Sequence, residues 1–293
     1  MTRLRQAIDE AVDALAAAGI DTPRVDAEQL AAHTAGVDRG RLRFHEPDEP
    51  FFGRYRDLID ARARRIPLQH LTSTAAFGPV TVAVGPGVFI PRPETESMLE
   101  WALAQLLSGP AGRSEVTGEL HSPVIVDLCT GSGALAVALA HARPDARIIA
   151  VDDSAEALAY ARRNTAGTSV ELIAADVTAS GLLADHDATV DLIVANPPYI
   201  PDGAQLQPEV AQHDPEHALF GGPDGMRVIG PIVDLAARLL RPGGRIAVEH
   251  DDTTADATTA LFEGAGGFTD VVSRRDLAGR PRFVTATATP VRS

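Results

Sequence analysis

Downstream of residue 123 the chain alternates short apolar runs with stretches of helical periodicity, and that alternation admits few architectures. The runs fall at residues 124–128, 147–151, 170–174, 190–195 and 245–249, with helical stretches at 132–142, 154–165 and 227–240. Runs that are apolar almost throughout suit strands buried on both faces, and regular alternation with helices predicts a parallel sheet covered on both sides. In such sheets ligands bind beyond the carboxyl ends of the strands, so the residues that follow each run carry the functional information. Residues 268–272 and 283–287 read as two closing strands joined by a charged turn.

The first part of the chain follows a different rule. Over residues 4–65 apolar residues recur at helical spacing, as in Leu4, Ile8, Val12 and Leu15, and breaks fall at Gly19, Pro23, Gly36 and Pro47 to Pro50. Four or five short helices are expected. The last, over residues 51–65, sets Phe52, Tyr55, Leu58 and Ile59 on one side and Arg54, Arg62 and Arg65 among its polar positions, which read as a solvated face or as a docking surface for an acidic or RNA-bound partner. A β-hairpin is expected between Phe77 and Ile90, with Val80 to Val84 and Val88 to Ile90 as its strands and Gly85-Pro86-Gly87 as its turn. Thr95 or Glu94 then caps a helix running through Met98, Leu99, Trp101, Leu103 and Leu106, and residues 108–122 read as an exposed loop. The expected organisation is a helical domain over 1–75, a linking hairpin over 76–92 and a sheet domain over 93–293.

At 293 residues the chain has room for two cores. No apolar run approaches the roughly 20 residues of a membrane span, and Met1 to Gln6 lead into an amphipathic helix without an apolar signal core. The lone Cys129 leaves no partner for an internal disulfide or a zinc cluster, which fits a cytoplasmic protein. A formal net charge of −14 argues against holding long nucleic acid by its phosphates. Every basic residue other than histidine is arginine.

The fourth run ends in Asn196-Pro197-Pro198-Tyr199. An X-Pro step holds the residue before it extended, and the second proline fixes the next φ, so the backbone itself aims the Asn196 carboxamide and the Tyr199 ring. Neither proline donates a hydrogen bond, which leaves the carbonyls of Asn196 and Pro197 as acceptors. Two such oxygens can grip both protons of a planar NH2 group while Tyr199 packs on its flat face. The first run ends in Asp127-Leu128-Cys129-Thr130-Gly131-Ser132-Gly133, a glycine turn where backbone can approach a ligand. Asp152 ends the second run, placed for the two hydroxyls of a ribose, and Asp176 follows the third, placed for an adenine amino group. The spacing of Gly131, Gly133 and Ala136, with an acid nineteen residues past Gly133, also satisfies a dinucleotide fingerprint, so a nicotinamide oxidoreductase is an alternative reading.

These residues carry a family resemblance. The sequence resembles class I S-adenosylmethionine-dependent methyltransferases and, more narrowly, the glutamine N5-methyltransferases of peptide chain release factors. The narrower likeness rests on Phe89-Ile90-Pro91-Arg92-Pro93-Glu94-Thr95-Glu96, on Ala218-Leu219-Phe220-Gly221-Gly222-Pro223-Asp224-Gly225, and on Leu240-Arg241-Pro242-Gly243-Gly244 before Val248-Glu249-His250. It implies a Rossmann-like domain with a seven-stranded, mostly parallel sheet, a small N-terminal helical domain that binds the protein substrate, and a linking hairpin. It also implies a cofactor loop over Cys129, Thr130, Gly131, Ser132 and Gly133, a ribose acid at Asp152, adenine-side contacts at Asp176 and Val177, and Asn196 touching cofactor and substrate alike. Asn196, Pro197, Pro198 and Tyr199 would hold the glutamine, with Asn196, Pro197 and Tyr199 in the catalytic roles and no metal. The chain departs from the family pattern at Cys129, where glycine is usual and a negative φ or an altered loop is expected. Val177 lacks the aromatic ring often found beside the adenine, and Asp251 stands where a glycine often follows the histidine.

The same Asn-Pro-Pro-Tyr geometry also serves a flipped base amine, so an N6-adenine DNA or N2-guanine RNA methyltransferase is the nearest alternative. The acidic balance and the lack of a basic recognition region weigh against it. A cofactor-binding adaptor without activity would have no use for an intact Asn196 to Tyr199. His250 and Glu249, after the fifth run, invite an acid–base reading, although a histidine so placed is more often a hydrogen-bonded structural group.

Overall fold

The computed structural model describes residues 3–108 and 122–290; most of the loop expected over 108–122 lies outside the described residues. The chain divides into two compact units, one of Met1–Ala75 with Val84–Pro86 and Leu206–His213, the other of Ala76–Ala83, Gly87–Gln205 and Asp214–Ser293.

The first unit is helical: α1 (Arg3–Ala17), α2 (Pro23–Ala35), a 3-10 turn (Arg39–Phe44), α3 (Glu49–Ala63) and α4 (Leu68–Thr72). Leu4, Ile8, Ala11 and Leu15 form one stripe of α1 and are buried against Ala27, Leu30 and Ala31 of α2 and Phe51, Tyr55 and Ile59 of α3. Asp48 caps α3 by accepting from the Phe51 N–H at 3.0 Å, and the Tyr55 hydroxyl donates to the Ala27 carbonyl at 3.0 Å. The buried face of α3 is rotated from the one expected. It runs through Phe51, Tyr55, Ile59 and Arg62, with Phe52 and Leu58 only half-buried. Arg62, expected in solvent, is buried and paired with buried Asp26 at 2.7 Å, and a second nitrogen reaches Glu209 at 3.0 Å.

The connecting hairpin is formed by β1 (Thr74–Phe77) and β2 (Val80–Ala83), so its turn is Gly78-Pro79 and not Gly85-Pro86-Gly87. Gly78 adopts φ +49 there. The apolar residues Val88 and Ile90 are buried, yet they stand outside any strand. A 3-10 turn (Pro93–Thr95) leads into α5 (Glu96–Ser108).

The second unit is built on a seven-stranded sheet of order β5-β4-β3-β6-β7-β9-β8. Its strands are β3 (Val124–Leu128), β4 (Arg147–Asp152), β5 (Glu171–Ala174), β6 (Val190–Ala195), β7 (Leu240–Glu249), β8 (Phe268–Arg275) and β9 (Pro281–Ala288). β3 pairs in parallel with β4 on one side and β6 on the other, β7 continues the parallel run, and β9 inserts antiparallel between β7 and β8. A dinucleotide fold closes on parallel strands in the order 3-2-1-4-5-6, so the inserted β9 sets this sheet apart from the oxidoreductase alternative. The helices are α6 (Ala134–Ala142), α7 (Ala155–Asn164), α9 (Ile229–Leu239) and α10 (Ala255–Gly264), while α8 (Pro208–His213) belongs to the first unit. β6 is buried at every position, including Asp191, whose carboxylate accepts from the Val124 N–H at 2.8 Å and from Arg241 at 2.6 Å. β7 begins at Leu240, five residues earlier than expected, because Leu240 pairs with Val190 across a register shift.

Register fixes the location of the site. Leu128 pairs with Val151 and with Ala195, and Ala195 pairs with Val248. The next residue on each strand is therefore Cys129, Asp152, Asn196 or Glu249, and these four stand in a row along one carboxyl edge. β3 is the switch point of the sheet, where connections leave in opposite directions and a crevice opens.

Candidate active site

The turn after β3 is held from beneath. Asp127, fully buried, accepts from the Thr130 hydroxyl at 2.5 Å and from the Ala136 N–H at 3.2 Å. Burial pushes its carboxyl up to about 7, against the pull of those two bonds. The side chains of Thr130 and Ser132 are buried, so what they present at the strand edge is backbone. Asn164 ties the turn to the hairpin: its Nδ2 donates to the carbonyls of Ser132 and Ala83, and its Oδ1 accepts from the Ala83 N–H. Cys129 sits at φ +59, so the left-handed conformation is kept with a cysteine in it, contrary to the negative φ expected. For a residue with a Cβ this costs roughly 1 kcal/mol, offset by the bonds that pin the loop on either side. Burial and the neighbouring Asp152 and Asp127 carboxylates push the Cys129 thiol well up, which keeps it protonated.

Gly131 adopts φ +56 and has nothing within 4 Å of the place a Cβ would occupy, so its outer face is open. Its N–H donates to Asp152 Oδ2 at 2.8 Å, while Oδ1 of the same carboxylate accepts from the Ser154 N–H at 2.9 Å. Each oxygen keeps a lone pair, which is what a vicinal diol asks for. Burial raises the Asp152 pKa. Asp176, by contrast, is held low by bonds from the Thr178 N–H and hydroxyl, both to Oδ1, leaving Oδ2 for a donor. The Val177 side chain is buried in the sheet core, so any contact it makes beyond the strand ends comes from its backbone. The open face at Gly131, the bidentate acid and the acceptor at Asp176 fit the nucleoside part of S-adenosylmethionine.

Beyond β6, Asn196 donates through Nδ2 to the Thr95 hydroxyl oxygen at 3.3 Å, which turns Oδ1 the other way. Tyr199 donates to Glu249 Oε1 at 2.8 Å. Burial and the adjacent carboxylate push its phenol well up, so it stays a neutral donor. The Ala218 to Gly225 segment forms the back of this elbow. Ile200 and Phe220 make a parallel bridge, the Ile200 N–H donates to the Leu219 carbonyl, and the Gly221 N–H donates to the Ile200 carbonyl. A Cβ on Gly221 would meet the Pro198 carbonyl oxygen at 2.6 Å, and one on Gly225, where φ is +77, would overlap the Tyr199 carbonyl. Gly225→Ala is therefore expected to displace the elbow. A shift of about 1 Å lowers turnover by roughly 100-fold, and the check is kcat beside calorimetric binding of S-adenosylhomocysteine, which stays near the parent value.

Two residues of this cluster escape a reading of the sequence alone. Thr95, expected as a helix cap, instead takes the Asn196 amide, a partner 101 positions away. Glu249 is fully buried behind Tyr199, and burial pushes its carboxyl up to about 7. Arg92 forms an ion pair with buried Asp214. His250 is buried with Nδ1 2.7 Å from the Asp251 carbonyl, and burial lowers its pKa, so the imidazole is a neutral structural group. Asp251 itself closes a turn by accepting from the Thr253 N–H and hydroxyl.

Comparison with known proteins agrees with this geometry. Residues 114–218 match the methyltransferase small domain and residues 6–72 match the PrmC N-terminal domain. The fold resembles that of a methyltransferase from Pyrococcus furiosus, with a TM-score of 0.51 at 16% identity over 79% of this chain and all of that one. Sheet order, switch-point crevice and acid-lined edge define a class I S-adenosylmethionine-dependent methyltransferase.

Along its whole length the chain is 65% identical to the release factor glutamine methyltransferase of Mycolicibacterium smegmatis, covering 98% of each. It is 64% identical to that of Mycobacterium tuberculosis, over 97% of this chain and 91% of that one, and 45% identical to that of Corynebacterium glutamicum, over 98% and 99%. The chain belongs to the release factor glutamine methyltransferase family.

Proposed function

We propose that this protein transfers a methyl group from S-adenosylmethionine to the side-chain amide nitrogen of a glutamine in a peptide chain release factor, and that it works in the cytoplasm. The observation that carries the reading is the orientation of Asn196: with Nδ2 engaged by Thr95, its Oδ1 is left to accept, and with the Pro197 carbonyl it would make two acceptors for an NH2 group. An amide nitrogen is a poor nucleophile because its lone pair is delocalised. Two carbonyl oxygens on its N–H groups favour density on nitrogen and fix its direction, while the Tyr199 ring packs on the amide plane. When bound, S-adenosylmethionine supplies a methyl group activated by a positively charged sulfur. Asp152 and the backbone of Cys129 to Gly133 would hold its nucleoside, with Asp176 and Val177 beside the base. Positioning of this kind recovers on the order of 7 kcal/mol of barrier or more. The substrate nitrogen gains the methyl and releases one proton to water.

In the same reading, residues 1–75 recognise the protein substrate, 76–92 connect and 93–293 carry the chemistry. Among the described residues no helix is long and apolar enough to cross a membrane. The direct test is incubation with a purified release factor and labelled cofactor, followed by mass mapping. A gain of one methylene on a glutamine is expected; label on duplex DNA and none on the factor would overturn the reading.

A further inference from the structure

The outer strands of the sheet carry a second polar depression, away from the crevice. Alternate residues of β9 share a face, so Thr285 and Thr287 stand together. Arg245 of β7 pairs with Thr287, and Val272 of β8 pairs with Thr285. With Arg274 of β8 and Trp101 of α5 these side chains line a half-open depression of about 190 Å³. Arg245 precedes Glu249 by four positions, roughly 13 Å along an extended strand, so the depression stands apart from the edge that holds Asn196.

What the depression lacks is an anion. Arg245 donates from Nη1 to Gln105 Oε1, its Nε is buried without a partner, and its other terminal nitrogen bonds no described residue. Arg274 donates from Nε to the Thr285 hydroxyl at 2.9 Å, and its guanidinium lies over the Trp101 ring, 5.8 Å from the centroid. Both of its terminal nitrogens are left as donors. Among the described residues neither arginine has an ion pair, although the chain holds 40 acidic residues against 26 basic ones. Burial and the adjacent Arg245 hold the Arg274 pKa below the usual guanidinium range, as two like charges kept together in a partly desolvated place require. An oxyanion between them removes the repulsion and engages the free N–H groups in charge-assisted bonds.

The strand geometry selects the shape of that anion. β7 and β8 flank β9, so the two arginine stems rise from strands about 9–10 Å apart. A carboxylate is flat and offers its two oxygens to one guanidinium fork, whereas a tetrahedral phosphate directs oxygens toward two forks on different sides. We propose that the depression between Arg245, Arg274 and Trp101 binds a phosphate group, either free phosphate or a small phosphate monoester. Asp270 also lines the depression and pairs with neither arginine. Its charge tempers the positive field and favours one phosphate over a polyphosphate.

The single tryptophan of the chain lines this depression, so Trp101 fluorescence reports its occupancy. The full chain is titrated with inorganic phosphate and with glycerol phosphate at constant ionic strength, with acetate and chloride as controls, and calorimetry follows the same titrations. A saturable response is expected with the phosphates and none with acetate or chloride; the tighter of the two phosphates names the source. Arg245→Gln and Arg274→Gln should each weaken binding about tenfold or more, the worth of a charge-assisted hydrogen bond. Val272→Glu, at an exposed position of the rim, adds a negative charge without removing any of these bonds and should weaken binding as well. That variant carries the test if an arginine variant fails to fold. No saturable response to either phosphate by both readouts, an equal response to acetate, or parental affinity in Arg274→Gln and Val272→Glu would overturn the proposal.

Discussion

Asn196→Ala is expected to lower kcat for methyl transfer by about 1,000-fold, the upper end of what removal of one preorganised hydrogen-bonding group at a reacting centre produces. The reasoning is that, in the function proposed above, Oδ1 is one of the two acceptors that would hold the substrate amide, the other being the Pro197 carbonyl, which remains in the variant. With one oxygen left, a substrate amide can still enter but rotates about its single hydrogen bond, and the nitrogen loses its fixed line of approach. Cofactor affinity should change little, because the nucleoside contacts assigned to Asp152 and the glycine turn are untouched. Asp152→Ala should give the opposite pattern, with weakened S-adenosylhomocysteine binding and a turnover that recovers at high cofactor concentration. Single-turnover rates beside calorimetry distinguish the two. An Asn196→Ala enzyme that transfers methyl groups at the parental rate would sink the acceptor model.

The parts of this site that could be read in the sequence are those that depend on neighbours along the chain. β3 and β6 begin and end where their largely apolar runs do, because burial on both faces favours such runs, and the one aspartate inside each, Asp127 or Asp191, is buried with hydrogen-bond partners. Asp152 and Asn196 fall at the edge for the same reason. Thr95 and Glu249 could not be placed this way. Thr95 at the head of a helix is an ordinary sight, and its partner is fixed by the packing of α5 against the sheet, which no local pattern encodes. Glu249 closes an apolar strand, where a carboxylate usually marks the return to solvent, and only the Tyr199 hydroxyl in front of it reveals otherwise. The hairpin was displaced by a competition between turns. Gly85-Pro86-Gly87 has the stronger composition, but the alternating burial of Ala75 and Phe77 supplies a first strand that ends at Gly78. Cys129 is a fourth kind of case: the loop keeps its left-handed residue because the bonds around it determine φ, so the side chain tolerates the strain.

Arg62 gives the largest expected effect on stability. The guanidinium and the Asp26 carboxylate are both nearly excluded from solvent, at 7% and 4% side-chain exposure, and the Thr22 hydroxyl donates to the second carboxylate oxygen at 2.8 Å. Arg62→Ala leaves a carboxylate inside the helical core with one hydroxyl for company, and breaking a buried pair in this way costs about 3–5 kcal/mol. Replacing both partners by leucine should cost much less, since no charge is then stranded. The helical unit has its own core, centred on Leu15, Leu30 and Phe51, and the single tryptophan, Trp101, lies in α5 of the sheet unit. Urea unfolding followed by far-ultraviolet circular dichroism should therefore acquire an early transition in Arg62→Ala that Trp101 fluorescence does not register, and the transition should largely disappear in the double leucine variant. A single unchanged transition by both probes would mean that the pair contributes nothing to holding α2 and α3 together, and that the apolar stripe of α3 suffices without it.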